Sequence, residues 1–193
     1  MIEHPLDFSL ILLDIDGTLR QCRQHSLEQG RPMPCHNHPG AWEIIPGTQE
    51  VLGLYDWSKV GFGICSNQAG IALGYIEEKV VLAEIYQTMR DIFAKDYMPH
   101  RFPTRGNTAR IRYSPYAPDA SSPWRKPSPL MLLDLIAAYE ERVDKTLFVG
   151  DSPEDAAAAA RAGCHFLPAW QFFNRAEVPA NTVKAHEVKE REG

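Results

Sequence analysis

Two aspartates one residue apart, Asp14 and Asp16, stand where an unbroken apolar run, Leu10-Ile11-Leu12-Leu13, gives out, and Gly17-Thr18 follows at once. Strand periodicity sends both acids to one side of the chain, and the glycine lets the backbone turn sharply beyond them. Two carboxylates held so close repel unless a cation or a shared proton offsets the charge. A plain strand-end turn also uses Asp and Gly, so the pair gains meaning from its company. The run Val60-Gly61-Phe62-Gly63-Ile64-Cys65 ends in Ser66-Asn67: a hydroxyl, an amide and main-chain N–H groups entering a helix, parts that bind phosphate without adding charge and that equally well cap a helix. Lys126 sits just before Pro127 and a helix start, a fixed cation rather than a waving one. Thr146-Leu147-Phe148-Val149 ends in Gly150-Asp151-Ser152-Pro153-Glu154-Asp155, again delivering carboxylates to the end of an apolar strand.

The elements that must position these groups alternate. Buried strands are expected over Leu10–Leu13, Val60–Cys65 and Thr146–Val149, a short one over Ala109–Tyr113, and a last one over Gly163–Leu167. Between them helical periodicity starts at Thr48 with Val51, Leu52 and Tyr55, and runs from Ile76 to Phe93. Two further helices follow: Leu130, Leu133 and Ile136 recur up to Arg142, and an alanine-rich helix covers Ala156–Ala162. Alternation of this kind predicts an α/β fold with an open parallel sheet, in which ligands sit outside the carboxyl ends of the strands. Asp14, Asp16, Ser66, Asn67, Lys126, Asp151 and Asp155 would all meet there.

Residues 20–46 carry too many glycines and prolines for a long element and are expected to form a flap. That flap holds Cys22-x-x-His25 and Cys35-x-x-His38, ligand types for a tetrahedral zinc site at a spacing unlike a standard finger. Arg101, Arg105, Arg110 and Arg112, with Tyr113 and Tyr116, form the most basic and aromatic stretch. It is either a surface for a phosphodiester backbone and stacked bases or a solvated loop with satisfied arginines.

Length and composition bound the rest. The 193 residues, 44% hydrophobic, suffice for one core: residues 1–170 as one domain and 171–193 as a polar tail. A net charge of -5 gives no general attraction to nucleic acid or an anionic membrane. No apolar run approaches a membrane span, and Met1-Ile2-Glu3-His4-Pro5 lacks the start of a signal peptide, so a cytoplasmic location is expected. Four scattered cysteines predict reduced thiols.

Asp14-Ile15-Asp16-Gly17-Thr18, Ser66-Asn67, Lys126-Pro127 and Gly150-Asp151-Ser152-Pro153-Glu154-Asp155, in that order, resemble the four motifs of the haloacid dehalogenase (HAD) superfamily of phosphohydrolases. The wording from Ser66 to Gly74, with Arg125-Lys126-Pro127, is similar to its capless branch, subfamily III-A, which contains heptose-bisphosphate, histidinol-phosphate and polynucleotide 3'-phosphatases. The resemblance implies a three-layer αβα, Rossmann-like domain without a large cap. It implies Asp14 as nucleophile through an aspartyl-phosphate, Asp16 as acid and base, and Ser66 and Lys126 on the phosphoryl oxygens. Asn67 and Arg125 would then contact substrate, and Mg2+ would be held by Asp14, the Asp16 carbonyl, Asp151 and Asp155. Two departures bear on the substrate. Tyr113–Pro118 lacks the cysteines of the zinc loop common in the sugar-phosphatase branch, and Pro39–Pro46, with Trp42, is similar to a stretch of the polynucleotide 3'-phosphatases. A small phosphorylated metabolite is the expected substrate on charge, a nucleic-acid 3'-phosphate end the alternative, and a non-catalytic binding module or a phosphotransferase the other classes.

Overall fold

The computed structural model describes residues 8–22, 27–28, 31–32, 40–57, 59–93, 110–119 and 121–173. Its centre is β1 (Leu10–Leu13), which is apolar at every position and buried on both faces. Two parallel neighbours flank it, β6 (Gly61–Asn67) and β8 (Thr146–Gly150). β7 (Ile111–Ser114) pairs with β6 and β9 (His165–Pro168) with β8, giving the order β7-β6-β1-β8-β9, parallel throughout. Leu13 pairs with Ile64 on one side and Val149 on the other. Asp14 therefore emerges level with Cys65 and Gly150, and the ends of three strands open at one place. Because the chain leaves β1 toward β6 and β7 and later returns on the other side as β8, that place is the switch point of the sheet.

Alternating side chains divide the core into two layers. Ile11, Leu13, Phe62, Ile64, Leu147 and Val149 face α1 (Thr48–Leu52), α2 (Glu78–Phe93) and α5 (Ala169–Phe172). Leu10, Leu12, Cys65 and Phe148 face α3 (Leu130–Ala138) and α4 (Pro153–Ala162). Each fully buried Leu, Ile or Phe contributes about 1.5–3 kcal/mol over an exposed one, so these strands are held firmly enough to fix the polar residues at their carboxyl ends. The expected three-layer α/β architecture is present. Asp14 shares the parity of Leu10 and Leu12, the α3–α4 side, and its side chain meets Asp155 of α4 through Lys126.

Several elements depart from expectation. The 20–46 flap contains short strands: β2 (Arg20–Cys22) pairs antiparallel with β5 (Trp42–Ile44), and β3 (Leu27–Glu28) with β4 (Arg31–Pro32). Pro and Gly limit these ladders to two or three residues without preventing them. Residues 69–76 form successive turns, with Gly74 at φ +71, and α2 begins only at Glu78. No helix N-terminus therefore follows Asn67. The short α5 was not expected, and among the described residues Phe172 and Phe173 are buried. Cys22 is disulfide-bonded, against the expectation of reduced thiols, whereas Cys65 and Cys164 are free. Among the described residues no helix is long and apolar enough to cross a membrane.

Candidate active site

Asp14 continues the central ladder, its N–H donating to the Val149 carbonyl at 2.9 Å, and its side chain is buried at the sheet's end. Lys126 reaches it from the loop before α3: Nζ lies 2.6 Å from Asp14 Oδ1, 2.6 Å from Asp155 Oδ1 and 2.9 Å from the Cys65 carbonyl oxygen. All three side chains are nearly sealed from solvent. Burial pulls the Lys126 ammonium down, but Asp14 and then Asp155 outweigh it, and its pKa is raised, so it stays charged. Burial also pushes the Asp14 carboxyl well up, against the pull of Lys126 and with Asp155 and Asp151 adding to the rise.

Asp151 lies at the more open end of this cluster. Dense surrounding protein, and next the charge of Asp155, push its carboxyl up to about 6. Asp14, Asp151 and Asp155 each offer an oxygen within 4.8 Å of the others. A set of carboxylate oxygens alone suits a hard cation such as Mg2+, and two carboxyls raised by crowding mark a place where positive charge is wanted. The backbone is shaped for it. Gly17 has φ +88, and a Cβ there would fall 2.1 Å from Asp151 Oδ2. At Gly150 a Cβ would fall 2.5 Å from Asp155 Oδ2.

Asp155 has a second task. Its Oδ2 accepts from Ser152 N at 3.1 Å and Ser152 Oγ at 2.6 Å, while Ser152 Oγ accepts from Asp155 N at 3.2 Å, a capping box at the start of α4. Both of its oxygens are thus engaged, one by the helix cap and one by Lys126.

Asn67 is also occupied. Its Nδ2 donates to the Lys126 carbonyl at 3.1 Å, and Lys126 N donates to its Oδ1 at 3.0 Å. The expected substrate contact is therefore, first of all, a clamp on the main chain of Lys126. Ser66, 1% exposed, accepts from Gln68 Nε2 at 2.8 Å. Arg125 donates from Nη1 to the Tyr116 carbonyl at 2.9 Å, and burial lowers its pKa against the raising effect of Glu154. Beside it, a cavity of about 520 Å³ is lined by Tyr113, Tyr116, Trp124 and residues around them.

Asp16 stands apart from the buried trio, its side chain 35% exposed. Arg20 Nε donates to Oδ1 at 2.6 Å, and Gln68 Nε2 donates to Oδ2 at 2.7 Å. Neither partner was foreseen from the sequence. The only sequence signal for Arg20 is an acid–base pair four residues apart across a glycine turn, and Gln68 is hidden as the neighbour of Ser66-Asn67.

The described part of the basic stretch fits the reading of satisfied arginines better than that of a nucleic-acid surface. Arg110 is buried, and Arg112 is ion-paired with Asp134; Arg101 and Arg105 lie outside the described residues. Of the zinc candidates, His25, Cys35 and His38 also lie outside them, and the disulfide-bonded sulfur of Cys22 is not the thiolate that zinc binds.

A model of the HAD-hydrolase-like family matches residues 123–168, the segment carrying Lys126, Asp151 and Asp155. Over 158 residues the chain is 29% identical to the D-glycero-beta-D-manno-heptose-1,7-bisphosphate 7-phosphatase of Bordetella bronchiseptica, covering 80% of this chain and 76% of that protein. Its fold matches the crystal structure of the B. bronchiseptica D,D-heptose 1,7-bisphosphate phosphatase, solved with magnesium and phosphate, with a TM-score of 0.64. There the identity is 26%, over 82% of this chain and 78% of the other. In sequence and fold the chain is similar to the phosphohydrolases of the HAD superfamily. A further relative, the D-glycero-beta-D-manno-heptose-1,7-bisphosphate 7-phosphatase of Pseudomonas putida, is 32% identical over 124 residues, 63% of this chain and 65% of that protein. Asp14, Asp151 and Lys126 on loops, and Asp155 in the first turn of α4, meet at the carboxyl end of the sheet, where open α/β sheets bind ligands.

Proposed function

We propose that this chain is a Mg2+-dependent phosphomonoesterase acting through an aspartyl-phosphate, with a sugar phosphate of the heptose 1,7-bisphosphate class as substrate. The observation that carries this reading is the contact of Lys126 with Asp14 at the end of the central strand, beside Asp151 and Asp155. The substrate class is supported by the relatives that bear that activity in their names, over about four-fifths of the chain for the Bordetella protein.

In this reading Asp14, Asp151 and the main-chain carbonyl of Asp16 hold the ion, with Asp155 behind them. Bound Mg2+ supplies charge neutralisation for the clustered carboxylates and the transferring phosphoryl group. A carboxylate oxygen of Asp14 attacks phosphorus while the bond to the leaving oxygen breaks, its electron pair staying on that oxygen. Asp16 gives that oxygen its proton, releasing the alcohol. A water molecule then attacks the phosphorus of the aspartyl-phosphate, its proton passes to Asp16, and the bond to Asp14 breaks to free phosphate. Lys126 and Ser66 hold the phosphoryl oxygens, and Asn67 holds Lys126. Arg125 and the cavity at Tyr116 and Trp124 receive the rest of the substrate.

The test is turnover by purified protein of a panel comprising heptose 1,7-bisphosphate, hexose phosphates, histidinol phosphate and a 3'-phosphorylated oligonucleotide, with Mg2+ and with EDTA. Preference for the heptose bisphosphate, lost in EDTA, is expected. Preference for the oligonucleotide, with steep salt dependence, would replace this substrate assignment by the nucleic-acid one.

A further inference from the structure

We propose that Arg20 and Gln68 are positioning residues that hold the Asp16 carboxyl group in the orientation from which it serves the leaving oxygen. This rests on the reading of Asp16 as proton donor given above.

An aspartate carboxyl turns about its last bond in a broad, shallow well. Here both oxygens are taken by donors from different elements: Arg20 Nε, on β2 of the flap, reaches Oδ1, and Gln68 Nε2, just past β6, reaches Oδ2. Neither donor is itself loose. The Arg20 side chain is 2% exposed, lies over the Trp42 ring at 5.1 Å, and donates from Nη1 to Thr88 Oγ1 on α2 at 3.3 Å. Thr88 Oγ1 in turn donates to the Glu84 carbonyl at 2.8 Å, and Glu84 Oε1 accepts from Gly40 N of the flap at 2.6 Å. Gln68 is buried, and the same Nε2 that holds Asp16 also donates to Ser66 Oγ.

A hydrogen-bonded chain therefore runs from α2 through Arg20 and Asp16 to Gln68 and Ser66. With Oδ1 committed to the guanidinium, Oδ2 is the oxygen that carries the proton. Gln68 keeps it beside the hydroxyl proposed to hold the phosphoryl group. An oxygen bearing a proton still accepts from the amide, so the clamp survives both halves of the reaction. Through Arg20, β2 of the flap takes part in aligning the acid.

The test compares two monoesters: 4-nitrophenyl phosphate, whose leaving anion departs without a proton, and a hexose 6-phosphate, whose alkoxide needs one. Arg20→Met and Gln68→Leu are expected to lower kcat on the hexose phosphate about tenfold or more beyond their effect on the aryl ester. KM should change little, and Arg20→Lys should recover part of the loss. Asp16→Asn is the reference and should show the largest such difference. Disturbed packing alone would lower both esters alike. Equal losses in the Arg20 and Gln68 variants, with Asp16→Asn still selective, overturn this proposal and leave the role of Asp16 standing. An unselective Asp16→Asn overturns that role and the proposal together.

Discussion

Asn67 clasps the main chain of Lys126 through both ends of its amide, Nδ2 to the carbonyl at 3.1 Å and Oδ1 to the N–H at 3.0 Å. The strand residue thus sets where the lysine's backbone lies, and from there Nζ meets Asp14 and Asp155. Asn67→Ala is expected to lower kcat by about 10–100-fold, because small misplacements of a reacting constellation have effects of that size. The two lost bonds would reduce stability by about 1–3 kcal/mol. Steady-state kinetics beside a urea unfolding curve check this; wild-type kcat in a destabilised protein would deny the clamp its functional part.

Gly17 and Asp151 approach so closely that only a glycine leaves room. Gly17→Ala forces a side chain into a left-handed conformation, worth about 1–2 kcal/mol, and pushes the Asp151 carboxylate aside. A lower Tm and a weakened stabilisation by Mg2+ are both expected. A variant that loses Tm but keeps the full Mg2+ response would separate the glycine from the ion site.

Asp151 gives the site a pH dependence with a definite sign. Its folded value of about 6 exceeds the ordinary carboxylate value of about 3.9. Without metal, the folded state holds that proton more tightly than the unfolded state. The group therefore contributes nothing unfavourable below about 4, and it becomes increasingly unfavourable as pH rises toward 6. A cation reverses this by favouring the ionised form. The rise in Tm on adding Mg2+ should be large at pH 7.5 and shrink below pH 6, and Asp151→Asn should abolish the trend. A hundredfold excess over Kd corresponds to about 2.7 kcal/mol. Thermal scans across a pH series, with and without Mg2+, measure it.

Much of this architecture was legible in the chain. Leu10–Leu13 running into Asp14 announces a central strand and the group at its tip, because full burial on both sheet faces demands an unbroken apolar run. The facing of Asp14 follows from the pleat, and Lys126 before a proline is held in place as expected. What escaped was what long-range pairing decides. β2 and β5 are three residues each and pair with one another across the flap. The breakers around them hide that. Asn67 and Asp155 were visible as candidates, but not that their polar atoms would be engaged with Lys126 and with the α4 cap; Ser152-x-x-Asp155 does spell a capping box. For Arg112 a nucleic-acid contact and a satisfied arginine both stayed open, because nothing local reveals that Asp134 on α3 comes to meet it.

The role of Asp14 as nucleophile is put at risk by a single replacement, Asp14→Asn. The change removes the nucleophilic oxygen pair but keeps the shape of the side chain, so the protein should remain folded by circular dichroism. Hydrolysis of neither the heptose bisphosphate nor 4-nitrophenyl phosphate is expected above background. Hydrolysis at the wild-type rate by this variant would contradict the assignment.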